Sequence, residues 1–197
     1  MAAGASRRMK GIKQLLPWKN SNFLLETIRT AKESNADSVY VVLGANAETI
    51  MSECNLQEKD TKIFLNPNWS LGLGNSIAFG VKKLIESSSL ADGILICLAD
   101  QPLLSTTYLD SLISNFKKDS SKIIATNYKN RVGVPALFPK LLYPKLVLLE
   151  GDQGAKELLN VSYDEMVQLD PGLQSIDIDT KLEYNQLIQE TNFQNEN

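Results

Sequence analysis

Gly93-Ile-Leu-Ile-Cys-Leu-Ala-Asp-Gln-Pro102 decides the fold. The run Gly93 to Leu98 is apolar on both faces, the pattern of a strand covered on each side, which predicts a central place in a helix-flanked sheet. Pro102 ends the strand and turns the chain outward. Asp100 therefore stands at the C-terminal mouth of a central strand, where open α/β sheets take their ligands. The residues alone also allow Asp100 to be a turn cap on the way to Ser105.

Outward from this strand, short β-rich runs alternate with amphipathic stretches, which indicates an α/β architecture. Val39 to Leu43, Lys62 to Leu65 and Lys122 to Thr126 read as further strands. Phe23, Leu24, Ile28 and Ala31 share one face of a first helix. Ile77, Val81, Leu84 and Ile85 mark a second. Leu109, Leu112, Ile113 and Phe116 mark a third, opened by Ser105 as N-cap. A short helix is expected within Gly151 to Asn160. No repeat or linker interrupts the chain, which predicts one domain over residues 1–189 and a polar tail over 190–197.

The N-terminus, Met1-Ala-Ala-Gly-Ala-Ser-Arg-Arg-Met-Lys-Gly-Ile-Lys-Gln14, reads as a phosphate cradle. Small residues at Ala2, Ala3, Gly4, Ala5 and Ser6 let a ligand lie against bare backbone. A positive φ at Gly4 would turn successive N–H groups towards one point and form an anion nest. Arg8 and Lys13 then offset charge on a leaving pyrophosphate. A planar guanidinium suits bidentate phosphate contact, and Lys13 sits where a flexible loop can bring it to a phosphate. A bland surface turn and a solvated lysine remain open on these residues alone.

Composition narrows the classes. With 197 residues and a hydrophobic share of 43%, the chain can bury a full core. The net charge of −3 and the absence of a basic patch beyond Arg7 to Lys13 argue for free nucleotide over nucleic acid. No apolar run is long enough to span a bilayer and no signal peptide is visible, so a cytoplasmic protein is expected. The two cysteines, Cys54 and Cys97, have no metal-binding spacing and suit a reducing compartment. The chain contains no histidine, which removes histidine-based triads, zinc sites and general bases. Phosphoryl-type transfer survives that loss, because it depends on positioning and on a carboxylate-bound divalent cation.

Taken together, the motifs resemble those of the molybdenum cofactor cytidylyltransferase family of MobA-like nucleotidyltransferases. The resemblance rests on Ala2-Ala-Gly-Ala-Ser-Arg-Arg-Met9 with Lys13-Gln-Leu-Leu16, on Asn66-Pro-Asn-Trp-Ser-Leu-Gly-Leu-Gly-Asn-Ser-Ile77, and on Leu98-Ala-Asp-Gln-Pro-Leu-Leu104. Gly151-Asp-Gln-Gly-Ala-Lys156 and Asp177-Ile-Asp-Thr180 complete it. It spans roughly residues 1 to 188, and Asp-Gln-Pro favours the cytidylyltransferase branch. It implies a three-layer, Rossmann-like nucleotidyltransferase fold with a mostly parallel mixed sheet. The family normally carries an apolar strand ahead of Ala2. Met1 takes that strand's last position, so the first strand is expected to be truncated and the sheet incomplete. Lys10-Gly11 is a smaller departure, since the family usually has glycine directly after Arg-Met.

The resemblance also implies the chemistry. Ala2, Ala3, Gly4, Ser6, Arg8, Lys13, Gly74 and Ser76 would bind nucleotide. Lys13, Arg8 and Asp100 would be catalytic, and Asp100 with Asp179 would hold Mg²⁺ or Mn²⁺. Asn75, Gly133, Pro135, Asp152 and Lys156 would face the acceptor. Several of these keep a plainer reading. Gly72 to Ser76 reads equally as a glycine loop and helix cap, Asp152 as an N-cap, and Asp179 as decoration of a helix start. Asp177 and Asp179 alternate with Ile176 and Ile178 as on a strand, which puts both carboxylates on one face. Trp69 reads as a packed loop residue or a stacking surface for a pterin.

The implied reaction is transfer of CMP from CTP to the molybdenum-pterin cofactor, with release of pyrophosphate. A molybdenum hydroxylase apo-enzyme is the implied partner; no nucleic acid or membrane partner is expected. Two alternatives stand beside this reading. One is a cytidylyltransferase acting on a sugar or polyol phosphate. The other is a non-catalytic maturation factor that delivers cofactor to a hydroxylase.

Overall fold

The computed structural model describes residues 1–197 except 7, 10, 58–60, 88–90, 161–164, 175 and 196–197. A small hairpin of β1 (Pro17–Trp18) and β2 (Ser21–Asn22) leads into α1 (Phe23–Glu33). Asn22 caps that helix by accepting a hydrogen bond from Leu25 N, a contact worth about 1 kcal/mol. Next come β3 (Tyr40–Leu43), α2 (Ala47–Glu53), β4 (Lys62–Leu65), α3 (Leu73–Glu86), β5 (Gly93–Ile96) and α4 (Thr106–Lys118). The chain ends with β6 (Ile123–Asn127), β7 (Val132–Pro139), α5 (Tyr143–Leu146), α6 (Lys156–Leu159), β8 (Met166–Leu169) and α7 (Lys181–Asn195). The polar segment from 190 thus continues α7 through Asn195.

β3 and β4 pair in parallel, while β5, β7, β6 and β8 form a second sheet in that order. Within the second sheet β7 alone runs against its neighbours. The N-terminus lies between the two sheets. Ala2 N donates to Val42 O and Ala99 N donates to Met1 O, while the Met1 amine donates to Cys97 O at 2.6 Å. These are parallel contacts on both sides, made by only one or two residues. The strand at Gly93, expected to be central, is therefore flanked along its length on one side only. It ends at Ile96, pairs antiparallel with β7, and meets Met1 only at its C-terminal end.

Helices cover both faces of the four-stranded sheet, giving three layers. Alternate residues of β6 face opposite ways: Ile123 and Ala125 pack with Ile77, Val81 and Phe138, whereas Ile124 packs with Leu109, Leu112 and Phe116 of α4. This period of two with both faces buried accounts for an uninterrupted apolar run. Ser105 caps α4 by accepting from Tyr108 N. Among the described residues, no helix is long and apolar enough to cross a membrane.

β7 carries Gly133 and Pro135, the pair expected to face the acceptor. Proline is ordinarily excluded from a central strand because it cannot donate to the ladder. Here the register between β6 and β7 shifts at Ala125/Thr126, and Pro135 O accepts instead from the Thr126 hydroxyl at 2.7 Å. The bulge gives the proline its place.

The segment bearing Asp177 and Asp179 is irregular, not a strand. It is fastened by Ile178 N donating to Asp100 O. Ile178 is buried with Trp18, Phe23 and Leu187, whereas Ile176 is 44% exposed, so the two isoleucines do not share a core face. Thr180 and Glu183 then open α7 with reciprocal capping. Glu183 N donates to Thr180 Oγ1, and Glu183 Oε2 accepts from both Asp179 N and Thr180 N at 2.7 Å.

Candidate active site

A cleft of about 440 Å³ opens where the N-terminal loop meets the chain just beyond β5, the start of α3 with the residues before it, and the segment before α7. That volume lies in the range that takes a nucleotide-sized ligand. Its floor is the stretch Met1 to Ser6. Three consecutive carbonyls of this loop are tied down. Gln14 Nε2 donates to Ala2 O at 2.9 Å and to Gly4 O at 3.1 Å, and Ala45 N donates to Ala3 O. No acceptor among the described residues takes the N–H groups of Ala3, Gly4 or Ala5. The positive φ expected at Gly4 is found at Ser6 instead, at 52°. A methyl group added at Gly4 would meet nothing within 4 Å among the described residues, and Gly4 itself lines the cleft.

Lys13 sits in a 3-10 turn, Lys13–Leu15, and is buried. Its Nζ lies 2.8 Å from Asp100 Oδ2 and 2.8 Å from Asp179 Oδ1. Arg8 Nη2 approaches Asp179 Oδ2 at 2.9 Å from an exposed position. Burial works against the Lys13 ammonium, but Asp100 and Asp179 outweigh it and hold its pKa above the ordinary value. Burial likewise opposes the Asp179 carboxylate, yet Lys13 and Arg8 hold its pKa low. Both groups are thus charged at neutral pH.

Asp100 Oδ1 is buried and, among the described residues, has no hydrogen-bond partner. A carboxylate oxygen left over in this way fits a divalent cation, and Asp179 stands across Lys13 from it. Among the described residues no cluster of three acidic, cysteine or histidine side chains could cage an ion. The donor set suits an ion that takes few carboxylates and fills its sphere with phosphate oxygens and water.

Residues 1–168 match the model of the MobA-like NTP transferase domain. The chain belongs to that family. Purine catabolism protein PucB of Bacillus subtilis is 31% identical over 192 residues, covering 93% of this chain and 91% of PucB. Nicotine blue oxidoreductase of Paenarthrobacter nicotinovorans is 30% identical over 168 residues, covering 81% of this chain and 78% of that protein. Among solved structures, the Rv0371c homologue from Mycobacterium sp. strain JC1 superposes with a TM-score of 0.82 at 27% identity, over 96% of this chain and 92% of that one.

On this MobA-like framework the structure brings Ala2, Ala3, Gly4, Ser6, Arg8, Lys13, Ser76, Asp100, Asp152 and Asp179 to one cleft. The helix start at Gly74 is placed differently from the expectation of a ligand contact. A Cβ on Gly74 would lie 2.4 Å from Glu150 O, and one on Gly72, whose φ is +109°, would lie 2.4 Å from Gly151 C. These glycines let two backbones cross, sealed by Gly74 N donating to Gly151 O at 2.8 Å. That crossing carries Asp152 to the cleft wall; Asp152 does not cap α6, whose N-cap is Ala155. Ser76 is buried, accepting from Asn66 Nδ2 and donating to Gly72 O.

Asn75, Gly133, Pro135 and Lys156 do not line the cleft. Gly133 packs against the Tyr128 ring, and Lys156 is exposed. Trp69 packs on Gly44, as a packed loop residue does, and its other side forms part of the cleft wall. Sequence reasoning missed two polar supports. Gln14 braces the loop. Gln101, 2% exposed, reaches Asp177 Oδ1 at 2.8 Å and the Tyr128 hydroxyl at 2.7 Å. Burial, with the nearby Asp100 and Asp179 charges, raises the Asp177 pKa against the pull of Gln101 and Arg131. Asp177 therefore faces this network and not Lys13.

Proposed function

We propose that the chain transfers CMP from CTP to the terminal phosphate of the molybdenum-pterin cofactor and releases pyrophosphate. The observation that carries this reading is the meeting of Lys13 with Asp100 and Asp179 beside a loop of undonated N–H groups. The N–H groups of Ala3, Gly4 and Ala5 bind and orient the triphosphate oxygens without any change of charge. Lys13 and Arg8 supply the positive charge that the departing pyrophosphate requires. Asp100 and Asp179 would hold Mg²⁺ or Mn²⁺, which when bound screens charge between the reacting phosphates. An acceptor phosphate oxygen bonds to the α-phosphorus as the bond from that phosphorus to the bridging β-phosphate oxygen breaks. The attacking phosphate is already ionised at neutral pH, so the site needs no general base.

The choice of cytosine and of the molybdenum acceptor draws on the Asp100-Gln-Pro and Gly151-Asp-Gln-Gly-Ala-Lys156 motifs. A second reading, delivery of the cofactor to a hydroxylase apo-enzyme without nucleotide transfer, draws support from relatives whose names speak of purine catabolism and of an oxidoreductase. Pyrophosphate release, measured with CTP, GTP and ATP and with molybdenum cofactor as acceptor, separates them. Release with CTP and cofactor supports transfer; none with any nucleotide overturns it.

A further inference from the structure

We propose that Gln14 is a positioning residue that sets the phosphate-binding N–H groups before any nucleotide arrives. The inference rests on the reading above, that the N-terminal loop receives a triphosphate. Gln14 is 6% exposed and follows Lys13 in the same 3-10 turn. Successive side chains of such a turn point about 120° apart, so Lys13 can face the carboxylates while Gln14 faces the loop.

Every polar atom of the Gln14 side chain is spent on the loop. Its two amide hydrogens go to Ala2 O and Gly4 O, and its Oε1 accepts from Ser6 Oγ at 3.4 Å. Ser6 Oγ in turn accepts from Lys13 N at 3.2 Å, which closes the loop onto the turn. All these peptide bonds are trans. In a planar trans peptide the N–H points opposite to the preceding C=O. Holding Ala2 O and Gly4 O against Gln14 therefore aims the N–H groups of Ala3 and Ala5 away from it. The Ala45 N bond to Ala3 O does the same for Gly4. The donors are oriented by pinning the acceptors behind them, which removes ordering cost from binding.

The probe is inorganic tripolyphosphate, with calorimetry for affinity and nitrogen-15 NMR for the amides. In the wild type, the backbone amides of Ala3, Gly4 and Ala5 should shift on titration while the Gln14 side-chain amide stays in place. A Gln14 side-chain amide that moves with the ligand's own saturation makes it a ligand contact and overturns the positioning role. Gln14→Met keeps the size and loses the bonds; Gln14→Asn keeps the amide but falls short of both carbonyls. Each should weaken tripolyphosphate by about tenfold and raise the KM for CTP while changing kcat far less. Wild-type affinity in either folded variant overturns the proposal. Amide shifts without pyrophosphate release from any nucleotide would support it while removing the transfer reading. Normal release with an unchanged KM in Gln14→Met would do the reverse.

Discussion

The Lys13 ammonium stands 2.8 Å from the Asp100 carboxylate. The same nitrogen reaches Asp179. The cation expected to meet phosphate thus lies between the two carboxylates expected to meet metal. One buried positive charge holds together three segments of chain: the N-terminal loop, the end of β5 and the approach to α7. On the proposed reading, a triphosphate entering the cleft would compete with the carboxylates for Lys13, and a divalent cation would compete with Lys13 for the carboxylates.

Asp100 is the first test. Asp100→Asn leaves Lys13 paired with Asp179, so the fold should survive with a similar melting temperature. Metal-dependent turnover should fall by about a hundredfold or more, the scale of removing a key electrostatic group. Pyrophosphate release by a folded variant at near wild-type rate would remove Asp100 from the chemistry.

Lys13 gives a second test that needs no turnover. In the absence of nucleotide, the ammonium blocks the carboxylates, and like charges at this spacing repel strongly in a partly buried site. Lys13→Met should therefore bind Mn²⁺ more tightly than the wild type, by about tenfold, as read by the loss of the free-ion EPR signal. Addition of CTP should narrow that difference, because phosphate draws the wild-type lysine away. Equal Mn²⁺ affinity of the two proteins would show that the lysine and the ion do not share these carboxylates.

Much of this arrangement was legible in the sequence, and the parts that were not share a cause. The faces of α1 and α4 follow from local periodicity. That of α3 does so at Ile77 and Val81, while Ile85, expected on it, is 41% exposed near the helix end. Ser105 caps α4 because its signal lies within one turn. Asp100 was legible because an apolar strand followed by Pro102 fixes where the carboxylate emerges. Strand β7 was hidden by Gly133 and Pro135, which argue against a strand unless the bulge at Ala125/Thr126 is known. The glycines at 72 and 74 signal close approach, but not whether a ligand or the Glu150–Gly151 backbone comes close. The roles of Gln14 and Gln101 depend on partners brought together only by folding. A lone glutamine in a sequence carries no sign of which carbonyls it will hold.

The two kinds of glycine can be told apart by experiment. Gly74→Ala forces a methyl into Glu150 O, where backbone must move, so it should cost about 1–3 kcal/mol. For a chain of this length each kcal/mol lowers the melting temperature by about 2–4 °C. Gly4→Ala meets no atom of the described residues and needs no left-handed backbone, so its melting temperature should be unchanged. It places a methyl in the cleft and should instead weaken CTP. Matching melting curves for Gly74→Ala and the wild type would contradict the backbone crossing.

Ala3 and Lys13 should separate the nucleoside end of the ligand from its phosphates. Ala3 lines the cleft beside Trp69, with its carbonyl tied to Ala45. Gly44 lies between them so tightly that a Cβ there would sit 2.3 Å from the Trp69 Cβ and 2.9 Å from Ala3 O. A valine at position 3 narrows this corner, yet it leaves the Gln14 bonds to Ala2 O and Gly4 O in place. The phosphate donors should therefore survive while room for the nucleoside shrinks. Ala3→Val is expected to weaken CTP by about tenfold, the scale of a misplaced methyl or two in a close-packed pocket, with little loss for pyrophosphate. Lys13→Ala should weaken both ligands, because it removes charge aimed at phosphate. Calorimetric titration of each variant with CTP and with pyrophosphate, alongside a melting curve to confirm the fold, checks this. Equal losses for the two ligands in Ala3→Val, or none for either in Lys13→Ala, would mean that the N-terminal loop is not where the nucleotide lies.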